Sequence, residues 1–152
     1  MFQRILLPTD GSQAALCAAH SVADLAAPLG QTVHVTIVAA IAPIRAERSD
    51  LDERIVALQN QNLRCHAQSV LESTATLFAA RGIPHGLRVL EAEPVSEAIL
   101  REAEAERYDL IAMGSRGMGM SRNDWRHVGS VTERVIRRSP VPVLVLPVHP
   151  ND

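Results

Sequence analysis

The sequence contains no lysine, because all fifteen of its lysine and arginine positions are arginine. This absence excludes Schiff-base catalysis and the type of phosphate loop that depends on a lysine. Aromatic residues make up only 3% of the chain, and its apolar runs are too short to cross a bilayer. The opening MFQRILLPTD does not resemble a secretory signal peptide, since Pro8 and Asp10 interrupt its short apolar core. We therefore expect a cytoplasmic protein with no membrane partner.

Motifs for covalent, metal-dependent or hydride-transfer chemistry are also missing. No serine stands in a G-x-S-x-G motif, and the first predicted strand is not followed by G-x-G-x-x-G. The six histidines form neither H-x-x-x-H nor H-E-x-x-H, so no resident metal is expected. Cys17 and Cys65 lie in helical patterns without motif spacing, which is typical of reduced, half-buried residues. The sequence predicts no catalytic residue.

The overall composition is that of a globular protein. With 152 residues, of which 47% are hydrophobic and 21% charged, the chain can bury a core as one domain over 1–152. The net charge of −2 does not favour binding to nucleic acid or to an anionic membrane.

Apolar periodicity predicts an alternation of strands and helices. Ser12 is expected to cap the first helix, and Ser130 with Glu133 forms an S-x-x-E capping box for the last. Pro94 is expected in the first turn of the third helix. The predicted strands lie at 32–41, 85–92, 108–114 and 140–148, and a first strand with its exit loop occupies 4–12. The predicted helices run from Ser12 to a stop at Gly30, from Leu51 to a stop at Gly82, from Pro94 through Ala103, and from Ser130 to Arg138.

Such a βαβαβαβαβ order, without hairpin turn signals, predicts a parallel sheet covered by helices on both faces, a three-layer α/β/α domain. Ligands of open parallel sheets bind beyond the carboxyl ends of the strands, where the strand order reverses. Two strands end in polar, glycine-containing segments: TDGS at 9–12, and MGSRGMGMSRNDWRHVGS at 113–130.

The second of these segments has two readings. Gly114 and Gly117 allow close approach of backbone N–H groups to an anion, and Gly129 with Ser130 precedes a helix N-terminus. The alternative is a strand end and a helix cap joined by a surface loop, in which Arg116, Arg122, Arg126 and His127 form a solvated face. For Asp10, the corresponding alternative is a turn-forming residue that accepts hydrogen bonds from nearby backbone N–H groups.

Three stretches resemble the universal stress protein family. They are ILLPTDGS, the segment from GIPHGLRVLEAEP to YDLIAMGSRG, and the closing GSVTERVIRRSPVPVLVLP. The resemblance covers nearly the whole chain and is weakest at 42–73. It implies five parallel strands in the order 3-2-1-4-5, which places the ends of strands one and four side by side.

Members of the family that bind ATP carry G-x-x-G, nine residues, and then G-S or G-T. Gly114 and Gly117 match the first part, while Gly129 and Ser130 match the second. By the same resemblance Asp10 contacts the nucleoside, the backbone of Val38 meets adenine, and the backbone or hydroxyl groups of Val131 and Thr132 touch the phosphates. The implied ATP site, with Mg²⁺ on the phosphates, is completed by neighbouring residues: Pro8, Thr9, Met113 and Arg116.

The chain departs from the family pattern at one point, since eleven residues (118–128) separate Gly117 from Gly129. Both glycine pairs can still converge, because loop closure depends only weakly on length.

Three hypotheses follow. The first is a cytoplasmic stress protein that binds ATP in a regulatory or protective role, with slow ATP hydrolysis at most and no evident general base. The second is a nucleotide-independent interaction module that dimerises through its C-terminal strand, as the family commonly does. The third is an enzyme such as an ATP-dependent ligase or a pyrophosphatase, which the missing lysine and the absence of a second domain disfavour.

Overall fold

Five parallel strands form one sheet in a computed structural model that describes residues 2–48, 52–116 and 128–147. The strands are β1 (Arg4–Pro8), β2 (His34–Ile41), β3 (His85–Glu91), β4 (Leu110–Gly114) and β5 (Val143–Leu146). They lie in the order β3-β2-β1-β4-β5, and all their pairings are parallel. The predicted fold class and strand order are thus confirmed, whereas the single-domain division stays a prediction.

The helices cover both faces of the sheet. They are α1 (Gln13–Ala26), α2 (Glu53–Ala80), α3 (Val95–Ala105) and α4 (Ser130–Arg138), with 3₁₀ turns at Ala27–Thr32 and Ala46–Arg48. Two buried clusters result: α1 and α2 pack against one face of the sheet, and α3 and α4 pack against the other. None of the described helices combines the length and apolar character that a bilayer crossing requires.

Three local expectations were wrong. The N-cap of α4 is Gly129 and not Ser130, and the Glu133 carboxylate accepts from Arg137, so the capping box does not form. Pro94 is the N-cap residue of α3 and stands just before its first turn. The first helix ends at Ala26, and a 3₁₀ turn continues the chain from there.

Apolar spacing along α2 predicts an inward stripe, and the structure contradicts only its N-terminal part; the predicted positions are Leu51, Ile55, Leu58, Leu63, Ala67, Val70, Thr74 and Leu77. Ile55 and Leu58 are 45% and 58% exposed, although periodicity placed them on the core side. The prediction is confirmed at Ala67 and Thr74, and the full set of buried side chains is Val56, Ala67, Leu71, Thr74, Ala75 and Phe78. Most of them belong to the C-terminal half of the helix, so that half carries most of the contact with the sheet.

Candidate functional site

A cavity of about 630 Å³ opens beyond the carboxyl ends of β1 and β4. The strand order reverses at β1, because β2 and β3 lie on one side of it and β4 and β5 on the other. Open parallel sheets bind ligands at such a reversal. The cavity volume falls within the range of small-molecule sites. The lining residues are Pro8, Thr9, Asp10, Ala15, Ala40, Val95, Ile99, Met113, Gly114, Arg116, Val128, Gly129, Ser130, Val131, Thr132 and Glu133.

The polar turn after β1 forms one wall of this cavity. Asp10 is exposed, and its Oδ1 accepts the backbone N–H of Ser12 at 3.0 Å. Ser12 in turn caps α1, because its hydroxyl oxygen accepts the N–H of Ala15 at 3.2 Å. Gly11 has φ +77°, a conformation that favours glycine. Asp10 therefore forms the turn that its alternative reading describes and also lines the cavity.

The chain after β4 forms the opposite wall. Gly114 lies against the first turn of α1, where an added Cβ would stand 2.7 Å from the carbonyl oxygen of Ala14. A side chain is thus excluded here by helix packing, a reason that spacing alone did not reveal. The N–H of Ser115 donates to the carbonyl of Leu146 at 2.9 Å, so the segment is also tied to the end of β5.

The N-terminus of α4 faces the same cavity. The N–H of Gly129 donates to the carbonyl of Ser115 at 2.8 Å, and the first intrahelical hydrogen bond runs from Glu133 N–H to Gly129 at 2.8 Å. The amides of Ser130, Val131 and Thr132 precede this bond, so they are the donors that a helix leaves for a ligand or water. A helix N-terminus with such donors favours negative charge.

The hydroxyl of Thr132 is used within the protein. It donates to the carbonyl of Gly114 at 3.0 Å, and the residue is only 3% exposed. A donor engaged in this way does not point its hydrogen at a phosphate. Of the two groups expected to touch phosphates at this position, the backbone N–H is therefore the one that remains.

Apolar residues form the other end of the cavity, and here the prediction needs a correction. Val38 is fully buried, its carbonyl accepts the N–H of Thr9 at 2.8 Å, and it does not line the cavity. Ala40, two residues further along β2, does line it, together with Val95 and Ile99 of α3. The register of β1 with β2, which ends at Pro8 and Val38, could not be read from the sequence.

Ten of the twelve predicted site residues line the cavity; their roles in binding stay predictions. They are Pro8, Thr9, Asp10, Met113, Gly114, Arg116, Gly129, Ser130, Val131 and Thr132. Gly117 lies outside the described residues, as do Arg122, Trp125, Arg126 and His127.

Positively and negatively charged side chains both line the cavity. Arg116 lines the cavity on the β4 side, and Glu133 lines it from the first turn of α4. The Glu133 carboxylate accepts from Arg137 at 2.8 and 3.1 Å, one turn further along the helix. Among the described residues, no three His, Cys, Asp or Glu side chains are grouped so as to hold a metal ion.

Sequence comparisons agree on one family. The model of the universal stress protein family matches residues 1–147. The universal stress protein Sll1654 of Synechocystis is 31% identical over 148 residues, covering 97% of this chain and 87% of that protein. The universal stress protein MJ0531 of Methanocaldococcus jannaschii is 29% identical over 147 residues, covering 96% and 82%.

Solved structures give the same fold. The hypothetical protein MJ0577 superposes with a TM-score of 0.83 at 30% identity, over 98% of both chains. A universal stress protein in complex with cAMP superposes with a TM-score of 0.68 at 24% identity, over 95% of this chain and 97% of that one. A universal stress protein family protein from Arabidopsis thaliana with AMP bound reaches 0.67 at 12% identity, over 99% of both.

Proposed function

The chain belongs to the universal stress protein family, and from that premise we propose that it binds an adenine nucleotide, ATP, in the cavity beyond β1 and β4. The observation that carries the proposal is the convergence of Gly114 and Arg116 with the open first turn of α4 on one cavity. Two solved relatives of the same fold hold cAMP and AMP, which supports an adenine nucleotide as the class of ligand.

The phosphates would lie at the end formed by α4. The amides of Ser130, Val131 and Thr132 supply donors there, and the helix dipole adds positive potential. Arg116 adds a formal positive charge on the facing wall. A phosphate site of this kind needs no lysine, in agreement with the composition.

The base would lie at the apolar end, against Val95 and Ile99. The carbonyl of Val38 points toward β1, where it accepts Thr9 N–H, while that of Ile41 points toward β3, where it accepts Ala92 N–H at 3.1 Å. The backbone N–H and carbonyl groups of successive residues point to opposite sides of a strand, so those of Ala40 point to the same side as those of Val38, toward β1. The last β1–β2 pair is Pro8 with Val38, and Ala40 lies beyond it. One donor and one acceptor side by side match the Watson–Crick edge of adenine.

Asp10 would accept from the ribose, since it lines the same cavity. Mg²⁺ would accompany the phosphates. No described group of three acidic, histidine or cysteine side chains is placed to hold the ion, so phosphate oxygens and water would supply most of its ligands.

The role we propose is regulatory or protective binding in the cytoplasm, without rapid turnover. One Asp10 oxygen accepts from Ser12 N–H, and Glu133 pairs with Arg137, so the two carboxylates that line the described part of the cavity have partners within the protein. Neither is arranged as a general base for an attacking water, and slow hydrolysis of bound ATP is the most that we expect.

Isothermal titration with Mg-ATP tests this proposal, and Ser130→Pro sharpens it. Gly129 has φ −63° and ψ 152°, the extended conformation that a following proline requires, and proline is tolerated at a first helical position. The variant loses the Ser130 amide donor, so we expect about tenfold weaker ATP binding, the effect of one hydrogen bond to a charged group. Ser130→Ala keeps the amide and serves as the matched control.

The result for the unaltered protein decides the proposal. No heat and no shift in melting temperature at millimolar Mg-ATP would reject it. Equal ATP affinities for Ser130→Pro and Ser130→Ala would reject the placement of the phosphates at α4.

We also propose that the chain forms a homodimer through β5. This strand is at the edge of the described sheet, its four side chains are only partly buried, and Pro142 and Pro147 bound it. An open edge offers backbone donors and acceptors to a second copy. If the protein dimerises but binds no nucleotide, the alternative function, a nucleotide-independent dimeric interaction module, is the correct one.

A further inference from the structure

Two hydrogen bonds join the end of β4 to the start of α4. The N–H of Gly129 donates to the carbonyl of Ser115 at 2.8 Å, and the Thr132 hydroxyl donates to the carbonyl of Gly114 at 3.0 Å. The donors lie three residues apart, and their acceptors are consecutive carbonyls. We call this pair of bonds the β4–α4 clamp.

Helix α4 has few buried side chains besides the one that takes part in this clamp. It has nine residues, and only two of its side chains, Thr132 and Val135, are buried. Val135 packs in the cluster on the α3 side of the sheet, one turn away from the helix start. Val131, in the first turn, is partly buried against the same cluster, and the Thr132 hydroxyl is the side-chain hydrogen bond that joins this turn to the end of β4.

We propose that Thr132 is a positioning residue for the phosphates: its hydroxyl, bonded to the Gly114 carbonyl, aims the first-turn amides of α4 at the anion. This inference rests on the proposed function and assigns different roles to the backbone and the side chain of Thr132. The backbone N–H of Thr132 faces the ligand, and its side chain holds the helix. Because both bonds of the clamp join the end of β4 to the start of α4, they fix the distance between these two elements directly.

The inference predicts that loss of the clamp affects the affinity for ATP and not the affinity for adenosine. Small changes in the direction of three amides alter every hydrogen bond to a phosphate, whereas the base end, formed by Ala40, Val95 and Ile99, lies on other elements. Loss of the Thr132 hydroxyl should therefore weaken the binding of ATP and leave that of adenosine unchanged. A merely stabilising residue would not separate the two ligands.

Thr132→Val removes the hydroxyl and keeps the shape of the side chain, and Thr132→Ser restores the hydroxyl. We expect Thr132→Val to weaken Mg-ATP binding about tenfold or more, as for a misaligned hydrogen bond to a charged group, and to change adenosine binding less than about twofold. Thr132→Ser should bind Mg-ATP within about threefold of the unaltered protein. Isothermal titration measures all these affinities at a temperature where circular dichroism shows each variant to be folded.

Val135→Ala is the control for general loosening of α4, because Val135 is the other buried side chain of the helix and belongs neither to the clamp nor to the residues that line the cavity. The inference is overturned if Val135→Ala weakens ATP binding as much as Thr132→Val, if Thr132→Val loses ATP and adenosine in equal proportion, or if it binds ATP normally. If Thr132→Val does not fold, Thr132→Ala is compared with Thr132→Ser by the same criteria. A failure of the unaltered protein to bind ATP would instead reject the proposed function.

Discussion

At the scale of single residues, Ser96 has a feature that invites a stability test. Its side chain is 1% exposed, and its hydroxyl has no hydrogen-bond partner in the described part of the chain. A buried hydroxyl without a partner costs about 1–3 kcal/mol, and alanine is the better helix former. We expect Ser96→Ala to raise the free energy of unfolding by about 1 kcal/mol, measured by urea denaturation.

Ser12→Ala provides the contrast for this prediction. The Ser12 hydroxyl caps α1 by accepting the N–H of Ala15, so its removal should lower the free energy of unfolding by about 1 kcal/mol. A loss of stability in Ser96→Ala comparable to that in Ser12→Ala would show that the buried hydroxyl does make a favourable contact.

The candidate site shows where residue-level prediction stops. The glycine and serine positions of the cavity follow from the motif of the family that the chain resembles, and the same resemblance implies that strands one and four end side by side. Ala40 could not be identified in this way, because its role depends on which side of β2 its backbone groups face once β1 has ended. The same limit applies to Thr132, whose hydroxyl was as well suited to a phosphate as to the Gly114 carbonyl.

At the scale of elements, the close approach of β4 to α1 depends on Gly114. A Cβ at this position would lie 2.7 Å from the Ala14 carbonyl oxygen and 2.8 Å from its carbonyl carbon, both of which are backbone atoms of a packed helix. Relief requires a shift of α1 or β4, so we expect Gly114→Ala to lower the free energy of unfolding by about 1–3 kcal/mol. Thermal and urea denaturation measure the change.

Gly86→Ala is the matched control, since it places a Cβ in another strand of the same sheet. Its nearest neighbour is Cε1 of His34 at 3.3 Å, the end of a side chain that can rotate away. The loss of stability should therefore be clearly smaller than for Gly114→Ala. Equal losses would mean that the contact with Ala14 is not what restricts position 114.

Element identity could be predicted from the sequence more fully than element ends and faces. Apolar runs and helical periodicity predict the type and order of the five strands and four α-helices that the structure describes, and parallel pairing follows from their alternation. The inward face of α2 was predicted wrongly near Ile55 and Leu58, because its 28 residues span about 42 Å at 1.5 Å each. The eight residues of β2 span only about 26 Å, so one end of the helix extends past the sheet and buries little.

At the scale of the whole molecule, the cavity exists because the strand order reverses at β1. Residues near position 10 and residues near position 114 are far apart in the sequence, and the order β2-β1-β4 brings their strand ends together. The family resemblance supplied this order, whereas alternation alone predicts only a parallel sheet.

The homodimer proposal can be tested without disturbing the sheet. Ile111 N–H donates to the Pro142 carbonyl and Ser115 N–H to that of Leu146, so the backbone groups of the even-numbered residues of β5 point toward β4. Those of Val145 consequently point to the open edge. Val145→Pro removes an outward N–H, which an edge strand tolerates, and we expect it to convert a dimer into a monomer in light scattering coupled to size exclusion.

Leu144→Ala is a control that shortens an inward side chain of β5 and keeps every backbone donor, so it should lower stability and leave the protein dimeric.

The nucleotide site gives a second measurement, because the Leu146 carbonyl accepts the N–H of Ser115, and the Ser115 carbonyl accepts the N–H of Gly129 at the start of α4. If the dimer fixes the end of β5, Mg-ATP should increase the dimer fraction, and dimerisation should raise ATP affinity by the same factor. A Val145→Pro protein that remains dimeric would assign the interface to another surface, and unchanged ATP affinity in a monomeric Val145→Pro would show that β5 and the cavity act independently.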